Sequence, residues 1–390
     1  MGTQVPIIHL YPSMRYHYQY IIVGAGCAGL QLAAALLKEA SLEVASLLII
    51  EASPVHEEKT WCFWYAEQHP YRHLVRKSWN QIAFRASGTS IKAALPDFCY
   101  QYISSTDFYN YQMAELRKDS RVDFLFEPVH TIELKQGTRQ VITASQLLTA
   151  DYIFHSNHLH QPSDPPTLWQ HFLGWEIITD SDVFDPATAT LMDFSASGDS
   201  DQVFFHYILP YNSRHALVEC TFFSQDLLDE AAYEQLLRSY IESNFSVNYQ
   251  IVARETGKIP MSLTPPSVFP ASSGIIPIGT AAGCIKASTG YSFTRVMRHT
   301  ESIISFLKKE LPDLPAPSSS RFLFYDRLFL SLIVQYPQKM SGIFASLFKK
   351  NKIQRILRFL DEATRLSEEV IIFWRLPKRY FLKVLFNIKK

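Results

Sequence analysis

Two groups of residues have the types and spacing that chemistry requires, and the first is a run of glycines near the amino terminus. Gly24, Gly26 and Gly29 follow an apolar run at 20–23 and form the pattern G-x-G-x-x-G, with Ala25 inside the loop. The first glycine permits a tight turn, and the second lets a pyrophosphate approach the backbone. The third lets the following helix pack on the strand, so that the phosphates meet the helix N-terminus. The pattern predicts a dinucleotide-binding site. The alternative is a strand–helix turn that tolerates glycine and binds no ligand.

The sequence around these glycines strengthens the prediction. An apolar stretch at 30–37 continues at helical spacing, and a second apolar strand at 47–50 ends at Glu51. An acidic residue about 20 residues beyond the glycines is expected to accept a ribose hydroxyl. Strand, glycine turn, helix, strand and acid therefore occur in the order of one βαβ unit.

The second group centres on an acidic residue in an apolar strand. Residues 216–222 read Ala-Leu-Val-Glu-Cys-Thr-Phe, and alternation puts Leu217, Glu219 and Thr221 on one face. Desolvation favours the neutral carboxyl and raises the pKa of such a residue. A carboxyl that keeps its proton near neutral pH is suited to general acid catalysis. An exposed position on the solvated face of a half-covered sheet is the alternative, and the pattern is compatible with both.

A second glycine-rich turn lies far along the chain. An apolar strand at 275–278 leads into Gly279, Thr280 and Gly283, and Gly290 precedes a helical run. Small residues allow close backbone approach to a ligand. Two such turns suggest that FAD lies extended across a fold that a distant segment closes.

Composition limits the class of protein. The chain has 390 residues, of which 47% are hydrophobic, enough for two domains at roughly 150 residues each. A formal net charge of zero argues against nucleic acid as a partner. The five scattered cysteines lack C-x-x-C spacing, so we expect reduced thiols facing the cytosol and no metal site. We expect a loose leader at 1–16, no signal peptide and no transmembrane helix.

The elements that position these residues follow from hydrophobic periodicity. A helix is predicted at 107–118, a strand at 122–126, and a β-meander returning to the main sheet at 129–134, 139–144 and 152–154. A crossover loop at 156–170 contains Asn157, His158 and His160. Antiparallel strands follow at 175–178, 191–194, 203–209 and 216–222, and then a helix at 226–244 that begins at Asp226.

The predicted fold is therefore α/β, with a Rossmann-like FAD-binding domain, an antiparallel-sheet substrate domain and a helical C-terminal region. We assign 17–85, 105–157 and 255–310 to the first, 86–104 and 158–254 to the second, and 311–390 to the third. Residues 61–64 lie where a flavin-binding fold would pass beneath the isoalloxazine ring, and a buried loop at the sheet edge is the alternative.

The C-terminal region is rich in basic residues interleaved with aromatics. They are Lys349, Lys350, Lys352, Arg355, Arg358, Arg375, Lys378, Arg379, Lys383, Lys389 and Lys390. Basic amphipathic segments with Phe, Trp and Leu favour an anionic bilayer surface. The alternative is a solvated helical face.

Motifs along nearly the whole chain resemble those of the bacterial lycopene β-cyclases. They are Val-Gly-Ala-Gly-Cys-Ala-Gly-Leu at 23–30, Lys-Thr-Trp-Cys-Phe-Trp at 59–64, Asp-Phe-Tyr-Asn-Tyr at 107–111, Leu-Met-Asp-Phe at 191–194, Val-Glu-Cys-Thr at 218–221, Gly-Lys-Ile-Pro-Met at 257–261, Ile-Gly-Thr-Ala-Ala-Gly at 278–283, Ser-Thr-Gly-Tyr-Ser-Phe at 288–293 and Phe-Leu-Phe-Tyr-Asp at 322–326. The glycine motif is common to many flavoproteins, whereas the tryptophan motif and the later motifs are more specific.

The resemblance implies a hydroxybenzoate-hydroxylase-like flavoprotein and a redox-neutral reaction, that of an intramolecular lyase or isomerase. The acyclic ends of lycopene would close to β-ionone rings, giving β-carotene by way of γ-carotene. FAD is expected to act in its reduced form, with NAD(P)H as the reductant. Lycopene and related carotenoids would be the substrates, and other enzymes of carotenoid biosynthesis are potential partners.

The resemblance also assigns roles to particular residues. The family's acidic motif maps onto Glu219, but its second acid is Cys220 here, which puts a second carboxylate at this spot in doubt. Asp193 is a second candidate, with the capping of a strand as its alternative role. We expect Lys59, Thr60 and Trp61 to bind the cofactor. Related flavoproteins place Asp where Thr280 stands, so this contact to the ribityl chain would be neutral.

Two other classes remain open at this stage. A flavin-dependent hydroxylase or isoprenoid reductase of the same fold would consume NAD(P)H stoichiometrically, whereas a cyclase needs reductant only to prime FAD. A carotenoid-binding membrane protein without activity would require both glycine turns to be vestigial. For the cyclase we expect a peripheral position on the cytoplasmic side of a membrane, because the substrate is insoluble in water.

Overall fold

The computed structural model describes residues 15–86, 88–156, 168–196, 201–263 and 269–388. Nearly all of the predicted leader and most of the predicted crossover loop, including Asn157, His158 and His160, lie outside these residues.

The strands of the described residues are β1 (His17–Val23), β2 (Leu47–Glu51), β3 (Thr60–Tyr65), β4 (Val75–Trp79), β5 (Gln81–Ala86), β6 (Thr89–Ala94), β7 (Cys99–Ser104), β8 (Val122–Phe126), β9 (Val129–Lys135), β10 (Thr138–Thr143), β11 (Leu147–His155), β12 (Leu168–Thr179), β13 (Thr188–Asp193), β14 (Val203–Pro210), β15 (His215–Ser224), β16 (Tyr249–Met261) and β17 (Ile275–Pro277). The helices are α1 (Cys27–Lys38), α2 (Ser105–Leu116), α3 (Glu230–Phe245), α4 (Phe293–Leu307), α5 (Ser320–Gln335), α6 (Met340–Lys350), α7 (Ile353–Leu360), α8 (Leu366–Trp374) and α9 (Lys378–Ile388).

The first sheet carries the glycine turns. Its strand order is β8-β2-β1-β11-β10-β9, and β17 pairs with β11. β1 lies parallel to both β2 and β11, and β17 lies parallel to β11. The predicted meander corresponds to β9, β10 and β11, which pair in antiparallel order. Both faces are apolar because Ile22 and Ile49 pack towards α1 whereas Ile21 and Leu48 pack on the opposite side.

The second sheet has the order β16-β12-β15-β14-β13-β5-β6. It is antiparallel except where β13 pairs with β5 in parallel. The sequence prediction missed β5, β6 and β16 because their exposed and buried positions give no continuous apolar run. β16 continues in this sheet to Met261, beyond the predicted domain boundary at 254.

Helix α3 covers one face of the second sheet. Trp175, Val218 and Leu237 are among the residues buried between them. The helix was predicted to begin at Asp226, which is wrong: Asp229 is the N-cap, and its side chain accepts a hydrogen bond from Ala232 N at 2.8 Å. Both aspartates precede the apolar periodicity, so the pattern did not distinguish them.

A third, smaller sheet has the order β3-β7-β4. Residues 61–64, for which a buried loop was the alternative, therefore form part of strand β3. Phe63 stacks on Phe293 of α4 at a centroid distance of 4.7 Å. This strand thus packs between the first glycine-bearing sheet and the start of α4.

The C-terminal helices pack against the second sheet on the face opposite α3. Phe84 of β5 stacks on Phe348 of α6 at 4.5 Å, and Phe194 stacks on Phe344 at 5.7 Å. In the part of the chain that the structure describes, no helix has the length and apolar character needed to cross a membrane.

Candidate functional site

The first glycine turn has the geometry that a dinucleotide requires. Gly24 has φ of +104°, in the region that favours glycine. A Cβ on Gly29 would lie 1.9 Å from the carbonyl oxygen of Gly24, so only glycine lets α1 approach β1 this closely. A Cβ on Gly26, in contrast, would meet no atom within 4 Å. Gly26 is the N-cap of α1 and has open space in front of it, which fits a bound diphosphate.

Glu51 stands at the end of β2, beside this turn. Its Oε2 accepts a hydrogen bond from Ala25 N at 2.7 Å, and its Oε1 accepts one from Ala52 N at 2.8 Å. The carboxylate therefore ties the glycine loop to the second strand. This is the edge at which the ribose of a dinucleotide is expected.

The second glycine turn lies against the first. Gly279 has φ of +56°, and a Cβ there would lie 2.8 Å from Cβ of Ala28 in the first turn of α1. Gly283 and Gly290 also have positive φ, at +75° and +73°. Thr280 is exposed and lines the cavity described below. The two turns that the sequence placed far apart are therefore neighbours, as an extended FAD would need.

One large cavity adjoins these turns. Its volume is about 1210 Å³, above the roughly 300–1,000 Å³ of typical small-ligand sites. Lys59 and the first residues of β3, Thr60 and Trp61, contribute to its lining, and the second turn contributes Thr280 and Gly290. Much of the remaining wall comes from the face of the second sheet that carries Glu219 and from aromatic and aliphatic residues of α5 to α9, and α3 contributes Glu230 and Tyr233.

Glu219 is buried in this wall. The pKa of its carboxyl is raised to about 8, mainly by burial and also by the nearby carboxylate of Glu255. A hydrogen bond from Thr221 acts in the opposite direction. At neutral pH the side chain is therefore mainly protonated. The alternative of an exposed strand residue does not hold, because Glu219 lies inside the cavity beneath the C-terminal helices.

Cys220, at the position of the family's second acid, lies on the opposite face of β15. Its side chain is buried with Leu237 in the core between the sheet and α3. A strand alternates its side chains between faces, so residue 220 cannot share the cavity wall with Glu219.

Of the other acidic residues that line the cavity, Glu255 is the one that shares the sheet face of Glu219, and sequence reasoning missed it. Its Oε1 accepts a hydrogen bond from Thr60 N at 2.8 Å, and its Oε2 accepts one from Thr60 Oγ1 at 2.5 Å. Thr60 thus uses its hydroxyl on this carboxylate. Glu255 lies in a polar stretch of β16, two residues before the recognised motif at 257–261, so no hydrophobic pattern marked it.

Two tyrosines, Tyr207 and Tyr291, extend the wall beside Glu219, and Tyr100 lies behind them. The hydroxyl of Tyr100 lies 2.5 Å from that of Tyr207 and 2.9 Å from that of Tyr291. Trp64 meets the ring of Tyr291 edge-on at 4.7 Å. Burial raises the pKa of each phenol, so they remain neutral near pH 7. Neutral aromatic rings beside a proton donor can stabilise a cation.

Asp193 is not brought to this cavity. It is fully buried on the α3 side of the sheet, where it accepts hydrogen bonds from Tyr240 at 2.7 Å and from Ser195 N at 2.9 Å. Arg85 also approaches it, at 3.3 Å. Because the sheet separates it from Glu219, Asp193 is not part of the candidate proton-transfer site. Its contacts at the end of β13 fit the alternative role of capping a strand.

The fold is similar to that of FAD-dependent monooxygenases and halogenases of known structure. A geranylgeranyl bacteriochlorophyll reductase-like protein from Thermoplasma acidophilum has 12% identity and a TM-score of 0.59, with 95% of this chain and 98% of that one covered. HpxO of Klebsiella pneumoniae, solved with FAD and uric acid, has 12% identity, a TM-score of 0.58 and coverage of 93% and 98%. The flavin-dependent brominase Bmp2 has 11% identity, a TM-score of 0.57 and coverage of 96% and 98%.

The family follows from the sequence itself. The model of the lycopene cyclase protein family matches residues 19–385, and the chain belongs to that family. A search of curated proteins finds no match. Membership supports an enzyme of the lycopene cyclase type, and the solved structures show that the chain has the fold of flavoproteins.

Proposed function

We propose that this protein is a lycopene β-cyclase that closes the acyclic ends of lycopene to β-ionone rings, by way of γ-carotene to β-carotene. The observation that carries this proposal is Glu219, a carboxyl that keeps its proton near neutral pH inside an apolar cavity next to the paired glycine turns. An olefin is a weak base, so its protonation needs an acid in a dry and preorganised pocket.

Protons balance in this reaction and no electrons are exchanged. The carboxyl of Glu219 gives its proton to C2 of the terminal isoprene, which leaves a tertiary cation at C1. The C5–C6 double bond attacks C1, forms the ring bond and moves the cation to C5. Loss of the C6 proton to the carboxylate of Glu219 forms the ring double bond and restores the acid. Tyr207 and Tyr291 present neutral rings beside this path and support the cation through their π faces.

The cofactor has a defined place in this scheme. Gly26 and its neighbours in the first turn would hold the diphosphate, Glu51 would face the ribose, and Thr280 would face the ribityl chain. Lys59 and Trp61 line the same cavity as Thr280 and Glu219. When bound in its reduced form, with NAD(P)H as reductant, FAD would supply negative charge that stabilises a nearby carbocation.

The substrate would enter from a membrane surface. Helices α8 and α9 line the cavity with Phe373 and Phe381, whereas Trp374 and Phe386 on their other side are 70% exposed. We propose that this surface rests on the cytoplasmic leaflet. A carotenoid could then pass from lipid to the cavity without crossing water.

The proposal is tested by anaerobic incubation of the purified protein with FAD and lycopene in liposomes, after reduction of the flavin with dithionite. We expect β-carotene without net consumption of reductant, and its loss in Glu219→Gln. The matched control is Glu58→Gln, which removes an exposed carboxylate outside the cavity lining. Unchanged lycopene, or a product of altered redox level, would instead favour a reductase or hydroxylase of this fold.

A further inference from the structure

Glu219 and Glu255 belong to one row of directly paired residues that crosses four strands. Gly174 of β12 pairs with Glu255 of β16 on one side and with Glu219 of β15 on the other. Glu219 then pairs with Tyr207 of β14. Directly opposed residues of an antiparallel sheet point to the same face. Both carboxyls therefore project from one face, separated by a single strand.

The residue between them has no side chain. A Cβ on Gly174 would lie 3.0 Å from Cδ1 of Leu217, and 3.5 Å and 3.6 Å from Cβ and Cγ of Glu219. The side chain of Glu219 therefore lies partly over Gly174, towards the strand that carries Glu255. No side chain of the row stands between the two carboxyls.

The two carboxyls have different surroundings. Each oxygen of Glu255 accepts a hydrogen bond from Thr60, and Lys59 Nζ donates to Thr256 O on the same strand at 3.1 Å. Hydrogen bonds to a carboxylate favour its ionised form. Burial raises the pKa of Glu255, and the hydrogen bonds from Thr60 act against it. Two carboxyls in unequal surroundings take unequal roles, one ionised and one protonated.

We propose that Glu255 is a positioning residue of the acid–base step, whose carboxylate, held by Thr60, keeps Glu219 in its acid form. This inference rests on the proposed function. Two like charges on one apolar face disfavour each other, so ionised Glu255 holds the proton on Glu219. During the reaction the proton leaves Glu219 for C2, the C6 proton returns to it, and Glu255 remains ionised throughout.

Other groups that face the pair leave this assignment unchanged. Burial raises the pKa of the Cys62 thiol of β3 and of the phenols of Tyr102 on β7, Tyr207 on β14, Tyr211 after it and Tyr291 in the second glycine turn. These groups are neutral from pH 5 to 9. Lys59 and Glu58, just before β3, are the nearby charged groups that act on Glu255.

The test is the pH dependence of the cyclisation rate for the flavin-loaded enzyme with lycopene in liposomes. Wild type is expected to lose activity above about pH 8 as Glu219 ionises. In Glu255→Gln this loss of rate at high pH, the alkaline limb of the profile, should shift to lower pH by about one pH unit, because a like charge is removed. At pH 8 the variant would be about fivefold slower than wild type, and at pH 6 within about twofold. Thr60→Val should move the limb the same way by less, and Glu242→Gln, which removes an exposed carboxylate of α3 outside the cavity lining, should leave it in place.

A direct readout separates this inference from the proposed function. The protonated carboxyl band that disappears from the infrared spectrum in Glu219→Gln is titrated in wild type and in Glu255→Gln, with no substrate present. A lower midpoint in Glu255→Gln supports the inference whether or not lycopene is cyclised. The same midpoint in both proteins, or a uniform loss of rate without movement of the limb, overturns it. Absence of β-carotene from wild type overturns the proposed function instead.

Discussion

At the residue scale, the buried acid that would do the chemistry also costs folding free energy. The pKa of Glu219 is about 8 in the folded protein and 4.5 in the unfolded chain. Between these values the unfolded chain releases the proton that the folded protein keeps. Stability therefore falls as pH rises from about 4.5 to about 8, and is unaffected by this group below that window.

Glu219→Gln should remove this cost, because glutamine stays neutral at every pH and can still accept the hydrogen bond from Thr221. We expect the flavin-saturated variant to be more stable than wild type at pH 8 by roughly 2–4 kcal/mol, and equally stable at pH 4. Denaturant unfolding at both pH values measures the difference. A variant less stable than wild type at pH 8 would mean that Glu219 is ionised in the fold.

Two glycines of the first turn should respond differently to the same substitution. In Gly29→Ala the new methyl group would collide with the carbonyl of Gly24, so we expect a loss of about 1–3 kcal/mol even without cofactor. In Gly26→Ala the methyl group would meet no protein atom but would occupy the space proposed for the diphosphate. That variant should unfold like wild type and bind FAD at least about tenfold more weakly, which is about 1.4 kcal/mol.

Thermal unfolding of the cofactor-free proteins and flavin titration measure the two effects separately. Unimpaired FAD binding by Gly26→Ala would contradict the assignment of the phosphate site.

The residues of the site differ in how far sequence could predict them. Glu219 interrupts an apolar alternating run, so its pattern carried information about its face. The residues next to Glu255 in β16 are polar, so the sequence gives no sign that it is buried. Only the pairing of β16 and β15 with Gly174 of β12 brings Glu255 to the cavity wall that carries Glu219. Asp193 also ends an apolar run, yet an irregular register between Thr190 and Asp193 directs it to the α3 side. Long-range strand pairing and local bulges cannot be predicted from the hydrophobic periodicity of the sequence.

At the element scale, the βαβ unit was predictable because local sequence determines it. β1, α1 and β2 have continuous apolar runs and a glycine turn between them. β16 has 13 residues but few buried side chains, so its pairing with β12 rather than its own pattern makes it a strand. Strand β3 was ambiguous for a similar reason, since its tryptophans suit either a loop or a strand.

A buried charge network joins the second glycine turn to the C-terminal helices. Lys286 Nζ lies 3.0 Å from Asp326 of α5 and 3.1 Å from Glu362, and Arg295 of α4 lies 2.9 Å from Glu362. Burial raises the pKa of Glu362, but the charges of Lys286 and Arg295 outweigh it and hold the pKa below its ordinary value. The network therefore fixes the helices that cover the cavity to the loop that carries Gly290.

Lys286→Met should leave Asp326 buried without its cation, at a cost of about 3–5 kcal/mol. The double variant Lys286→Met/Asp326→Leu should recover part of this loss, because no unpaired carboxylate remains there. Lys308→Met, which breaks partly exposed pairs with Glu310 and Glu39, is the control and should cost about 1 kcal/mol or less. Denaturant unfolding gives all three values, and a Lys286→Met loss no larger than the control would contradict the role of the network.

At the scale of the whole molecule, the cavity exists because three parts meet. The glycine-bearing sheet supplies the turns proposed to hold the cofactor, the second sheet supplies Glu219 and Glu255, and the C-terminal helices close the apolar end. The family motifs anticipated each part separately. Their assembly depends on contacts between distant segments, such as that between Trp64 Nε1 and Asp361 Oδ2 at 3.0 Å, which no local pattern reveals.

The same assembly leaves an apolar and basic surface on α8 and α9 next to the closed end of the cavity. We call this the α8–α9 surface, and its exposed apolar residues are Leu366, Val370, Ile371, Trp374, Leu382 and Phe386. The exposed cations Arg375, Lys378, Arg379 and Lys383 surround them. This combination matches an anionic bilayer, where each cation contributes about 1 kcal/mol and the apolar side chains enter the interface.

Lys378→Glu/Arg379→Glu should therefore bind anionic liposomes at least about tenfold more weakly than wild type, with little change on neutral liposomes. Trp374→Ser/Phe386→Ser should weaken binding to both, because the loss is of apolar contact rather than charge. Leu134→Ser/Leu147→Ser removes two exposed apolar residues of the first sheet and is the matched control. Sedimentation with liposomes measures binding, and the cyclisation rate should fall in parallel because the proposed route takes lycopene from lipid to the cavity. If both test variants bound and cyclised like the control, the substrate would have to enter by a different face of the molecule.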